Sequence, residues 1–152
     1  MQRLTTKSTA PETTTIRITA LFVRFALAAA FLSAVADRFG MWGATGSQGV
    51  VWGNLKNYED YVALLNWFVP LSLIPALGWI ATIAEITIAV GLLVGWQLRW
   101  FALAAGALLT TFAMTMFIAL GPKAPLDYSV LSAASAALLL YALPNSPSQP
   151  PN

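Results

Sequence analysis

Two ionisable residues stand deep within apolar runs: Arg24, inside the run 16–36 that Arg17 also breaks near its start, and Glu85, near the middle of the run 77–94. A charge at mid-helix depth in a bilayer costs about +2.5–3.5 kcal/mol on insertion scales, so such residues turn inward and pair. Arg24 and Glu85 are therefore the expected partners, since a guanidinium and a carboxylate meet in a fork of two hydrogen bonds. Between helices, that pair makes a polar pocket able to hold a lipid head group, a quinone ring or a proton. Two plainer readings stay open. A buried Arg–Glu pair can fix helix register without chemistry, and a shallow Arg24 can snorkel to the interface.

Helical spacing turns Glu85 inward. Gly78, Ala81, Thr82, Glu85 and Ala89 fall on one stripe of small or polar residues, while Ile80, Ile83, Thr87 and Val90 make the opposite, lipid-suited face. Small residues let membrane helices approach closely. Asp37 and Arg38 end the first run and Asp127 begins the last, which places them at one membrane face. They are read either as ordinary surface charges or as the mouth of a pocket floored by Arg24 and Glu85. Arg24, Glu85, Arg38 and Asp127 are the candidate binding residues, with no catalytic or metal-ligating residue among them.

What is missing narrows the chemistry further. The 152 residues include neither Cys nor His. Disulfide and CxxC redox chemistry by this chain alone is excluded, and zinc, haem and copper sites lose their usual ligands. Ser129, Ser132 and Ser135 have no His to activate them, so they read as small-residue packing rather than nucleophiles. Thr110, Thr111 and Thr115 are expected to bond back to their own helix or a neighbour, with Met114 and Met116 as filler. Basic residues are scattered without a Lys/Arg run, which excludes a nucleic-acid footprint.

The elements that carry these residues follow from composition. Apolar residues make up 58% of the chain and charged ones 9%, against roughly 25% charged in an average soluble domain; mean hydropathy is +0.70. Lipid is the expected solvent. A bilayer core needs roughly 20 helical residues, and four runs approach that length, at 16–36, 77–94, 100–120 and 126–143. The expected fold is all-α, a polytopic four-helix membrane bundle. A cleaved leader is the alternative for the first run, since Ala34-Val35-Ala36 precedes Asp37 as a small-x-small site. The length of the run and Arg24 within it oppose that.

Between the first two runs, residues 37–52 are Gly-rich and carry Trp42 and Trp52. Residues 55–68 then place Leu55, Tyr58, Tyr61, Val62, Leu65 and Phe68 at helical spacing against Lys56, Asn57, Glu59 and Asp60. That is the pattern of an amphipathic helix lying in the interface. Residues 1–15 and 144–152 are polar and Pro-containing, and are expected to be disordered tails. Arg3, Lys7, Arg17 and Arg99 flank one side of the four spans, Arg38, Lys56 and Lys123 the other. The positive-inside bias puts both termini in the cytoplasm, in a cell inner (plasma) membrane.

Arg24 with Phe25-Ala26-Leu27-Ala28, followed by Asp37-Arg38-Phe39, resembles the first helix of the DoxX-type membrane proteins. Glu85 with Gly91-Leu92-Leu93-Val94-Gly95 is similar to their second helix, an acid followed by a Gly-Leu-Leu-x-Gly exit. Leu126-Asp127-Tyr128 opening a small-residue helix fits the same pattern. The resemblance covers about residues 16–143. It departs where Ala28 replaces a common Gly and where the 37–70 connection is long and Trp-rich. It implies a four-helix bundle tied to membrane redox systems, with Arg24 and Glu85 as its polar core, Arg38 as the basic end of helix one, and no catalytic residue.

The expected function is a non-catalytic subunit or scaffold of a membrane redox assembly, with a membrane or peripheral redox protein as partner or a second copy of the chain. A quinone- or lipophile-binding oxidoreductase component, with quinone as the ligand, is the alternative. A proton-linked carrier is weaker, because Glu85 is the lone mid-membrane acid and no inverted repeat is visible.

Overall fold

A computed structural model describes residues 10–143, and among these every regular element is helical. Helix α1 spans Ala10–Arg38, α2 Leu55–Leu65, α3 Ile74–Val94 and α4 Leu98–Leu120; the short α5, Lys123–Asp127, precedes α6, Val130–Ala142. Three stretches are long and apolar enough to cross a membrane: Thr14–Arg38, Leu71–Val94 and Leu98–Leu120. These mark a membrane-embedded protein. Their outward faces carry Phe22, Phe25, Ile80, Ile83, Phe117 and Ile118, all exposed, as lipid requires.

The first helix begins earlier than the apolar run suggests. Residues 10–15, expected in a disordered tail, already belong to α1. Pro11 is compatible with this, because a helix's first turn has no use for the amide proton that proline lacks. Residues 1–9, the rest of that tail, and the tail at 144–152 lie outside the described residues.

The last apolar run is not one helix. The expected span at 126–143 is interrupted at Ser129, whose φ of 54° is left-handed. Only the 13 residues of α6 continue beyond it. At 1.5 Å per residue α6 reaches roughly 20 Å, short of the roughly 30 Å hydrocarbon core. Helix α2 likewise stops at Leu65, where Asn66 closes it by donating its backbone N–H to the Val62 carbonyl. Phe68, expected on its apolar face, lies beyond the helix and is exposed.

Helix α1 packs along α3, and α4 along α6. Leu27, Ala28 and Phe31 of α1 meet Ile88, Ala89 and Leu92 of α3, Ala102 and Ala105 of α4, and Ala137 and Leu140 of α6 in one core. Of the expected inward stripe on α3, Gly78, Thr82, Glu85 and Ala89 are buried and Ala81 is half-buried. The close approach rests on glycine. A Cβ on Gly91 would lie 2.3 Å from Phe101 ring carbons, and one on Gly106 2.6 Å from the Leu138 side chain. Gly91→Ala is therefore expected to push α4 off α3, at the roughly 1–3 kcal/mol typical of overpacking. Denaturation in mild detergent reads this as an earlier midpoint, recovered when Phe101→Leu is added. A midpoint unaffected by Gly91→Ala would contradict the packing.

Candidate functional site

The partner of Glu85 is Arg38, not Arg24. Arg38 Nη2 donates to Glu85 Oε1 at 2.7 Å, with the Arg38 side chain 3% and the Glu85 side chain 2% exposed. Arg38 Nη1 donates to Thr82 Oγ1 at 2.8 Å, and that hydroxyl donates in turn to the Gly78 carbonyl at 2.8 Å.

Side-chain direction explains the correction. Every Cα–Cβ bond in a helix tilts toward the N-terminus. Helices α1 and α3 run antiparallel, since Arg24 meets Leu92 and Leu93 while Arg38 meets Thr82 and Glu85. Arg38 thus leans back along α1 toward Glu85, and Glu85 leans along α3 toward Arg38. Arg24 leans in the same direction along α1, and from its position that carries it away from Glu85 toward the C-terminus of α3. Its Nε donates to the Leu92 carbonyl at 2.9 Å and its Nη2 to the Leu93 carbonyl at 3.2 Å. These are carbonyls of the last turn of α3, which lack helical partners and carry the negative end of the dipole. Arg24 caps a helix.

Two aromatic rings complete the surroundings of Arg38. Its guanidinium carbon lies 4.0 Å from the Tyr58 ring centroid and 5.3 Å from that of Trp52. The two rings meet edge to face at 5.2 Å. Tyr58 comes from α2, whose Tyr58 and Val62 pack with Ile74. Burial raises the Tyr58 phenol above its ordinary pKa, opposed in part by the Arg38 charge.

Trp52 comes from the Gly-rich connection, and Asp37 holds it there. Asp37 Oδ2 accepts from the backbone N–H of Val51 at 2.8 Å and of Trp52 at 3.2 Å, and Oδ1 from that of Gly53 at 3.2 Å. The carboxylate adjoining Arg38 in sequence thereby folds the connection back over Arg38.

A cavity of about 470 Å³ opens beside this centre, lined by Asp37, Arg38, Glu85, Trp42, Trp52 and apolar residues of α1, α4 and α6. A second, of about 380 Å³, lies against Tyr58, Tyr61 and α4. Arg38, Val51, Trp52, Leu109, Phe112, Tyr128 and Val130 line both, so the two are lobes around one set of walls. Tyr128 and Val130 flank the break before α6. Irregular backbone at membrane depth is tolerated where it lines a cavity.

Three polar atoms at this centre are buried without a hydrogen-bond partner: Arg38 Nε, Trp52 Nε1 and Glu85 Oε2. Each such group costs roughly 1–3 kcal/mol, more when charged.

Of the four candidate residues, the structure brings Glu85 and Arg38 together. Arg24 lies at the other end of α3. Asp127 lines neither cavity and forms an exposed pair with Lys123. Asp37 does line the cavity, in company with Arg38 and Glu85 rather than Arg24. Tyr58 and Trp52 stand at the site as well, outside the four candidates. Tyr58 had a signal, its place on the apolar stripe of α2; Trp52 had none beyond being a Trp beside glycines. Thr110 and Thr111 bond back to the Gly106 and Ala107 carbonyls, and Thr115 to that of Phe112. Ser135 does likewise to Leu131. Compared with protein-family models, curated proteins and solved structures, the chain has no match.

Proposed function

We propose that the chain is a membrane-embedded binding subunit that holds a lipophilic ring compound of the quinone class at the Arg38–Glu85 centre for a redox partner. One observation carries the reading: Arg38, Trp52 and Glu85 all line a largely apolar cavity of about 470 Å³, and each holds a buried polar atom without a partner. Ligand pockets combine an apolar lining of about 300–1,000 Å³ with a few placed polar groups. The indole N–H of Trp52 and the Nε–H of Arg38 are the donors a ring carbonyl needs.

The role as a subunit, rather than a complete oxidoreductase, is supported by a sequence with no Cys and no His. The similarity to DoxX-type proteins points to the same setting. In this reading α5 and α6 together make the fourth crossing, and α2 lies at the membrane interface with Lys56 and Asp60 outward. Both termini face the cytoplasm, and the partner is a redox protein or a second copy of the chain.

Trp52→Phe keeps a ring and removes the donor. Titrating the protein in zwitterionic nanodiscs with an alkyl-1,4-benzoquinone, followed calorimetrically, is expected to show saturable binding that weakens about tenfold in the variant, near the top of the range for one hydrogen bond. Absence of saturable binding to the wild-type protein by the benzoquinone and by its reduced form alike would defeat the reading.

A further inference from the structure

We infer that the site selects a ring bearing a free hydroxyl, the hydroquinone or phenol form, over one offering only carbonyls. The inference rests on the binding reading above and narrows it to one chemical form. Glu85 Oε1 is held by Arg38, and Oε2 is buried with no partner. A carboxylate paired with a guanidinium accepts hydrogen bonds and has none to give. A carbonyl brought against Oε2 sets acceptor against acceptor. Arg38 Nε and Trp52 Nε1, the other unpartnered atoms, are donors.

A hydroxyl is the simplest group that answers both kinds, with one O–H to give and two lone pairs to receive. It can donate to Glu85 Oε2 and accept from Arg38 or Trp52. A carbonyl placed there leaves Oε2 without a hydrogen bond, whereas a hydroxyl supplies one. A site built to pair with a ligand's hydroxyl rejects analogues without one far more strongly than an apolar pocket rejects a changed methylene. The other walls suit a flat ring: Phe31, Trp42 and Phe112 line the same cavity.

Three ligands differing only at oxygen test this without touching the protein. An alkyl-1,4-hydroquinone, its dimethyl ether and the matching quinone are titrated anaerobically against the full chain in zwitterionic nanodiscs. The hydroquinone is expected to bind at least tenfold more tightly than either of the others. Equal affinities, or a tighter quinone, would overturn the selectivity and leave the binding reading intact; no saturable binding by any of the three would overturn both. In Glu85→Gln the amide nitrogen can itself donate, so the gap between hydroquinone and quinone is expected to shrink several-fold. An unchanged gap in that folded variant would overturn the inference, and if the variant fails to fold, the ligand series decides alone.

Discussion

Arg38→Met is expected to destabilise the bundle by about 3–5 kcal/mol, the cost of leaving one member of a buried ion pair without its partner. The variant strands Glu85, 1% exposed on a helix long and apolar enough to cross the membrane. It also removes the donor to Thr82 and the cation between Tyr58 and Trp52. Adding Glu85→Leu to Arg38→Met is expected to recover most of the loss, because an apolar pair of similar volume replaces a buried ion pair at little cost. Unfolding midpoints in a series of denaturing detergent mixtures measure both variants. A double variant as unstable as the single one would mean that packing around Arg38, not its charge, supplies the stability.

Asp37→Ala is expected to cost about 2–3 kcal/mol, as three backbone N–H groups lose a shared charged acceptor; charge-assisted bonds run about 1.5–3 kcal/mol each, but these three are only part-buried. The loss falls on the connection rather than the helices. Val51, Trp52 and Gly53 are released together, and Trp52 leaves the Arg38 guanidinium. Hydrogen exchange is expected to rise sharply across 40–54 while α3 and α4 stay protected. Asp37→Asn, which keeps one acceptor oxygen, is expected to lose less. Uniform exchange across the chain after Asp37→Ala would show Asp37 to be a general core residue instead.

The long helices are legible because each is a long, mostly apolar run, and lipid leaves such runs few alternatives. The inward face of α3 was legible for a related reason: Gly78, Thr82, Glu85 and Ala89 recur at helical spacing and are buried together. The identity of the charge pair was not. Counting depth within apolar runs puts Arg24 near Glu85 and makes Arg38 a terminal residue. Arg24 and Arg38 are 14 positions apart on one helix, roughly 21 Å along its axis. Which of them reaches Glu85 depends on the antiparallel course of α1 and α3 and on the tilt of side chains toward each N-terminus. Neither is written in hydropathy.

The break before α6 escaped for another reason. Ser129 takes a left-handed φ without the glycine that usually announces one. The connection's place over the site depends on one carboxylate gathering three amides 14 to 16 positions away. Composition showed only a Gly- and Trp-rich stretch there.

A pair of double-mutant cycles tests the central claim most directly, one combining Arg38→Met with Glu85→Leu and the other Arg24→Met with Glu85→Leu, both read from unfolding midpoints. Residues in contact couple by about 0.5–3 kcal/mol, whereas distant ones add within about 0.3–0.5 kcal/mol. The ion pair between Arg38 and Glu85 predicts strong coupling in the first cycle and additivity in the second. Coupling confined to Arg24 and Glu85 would contradict it.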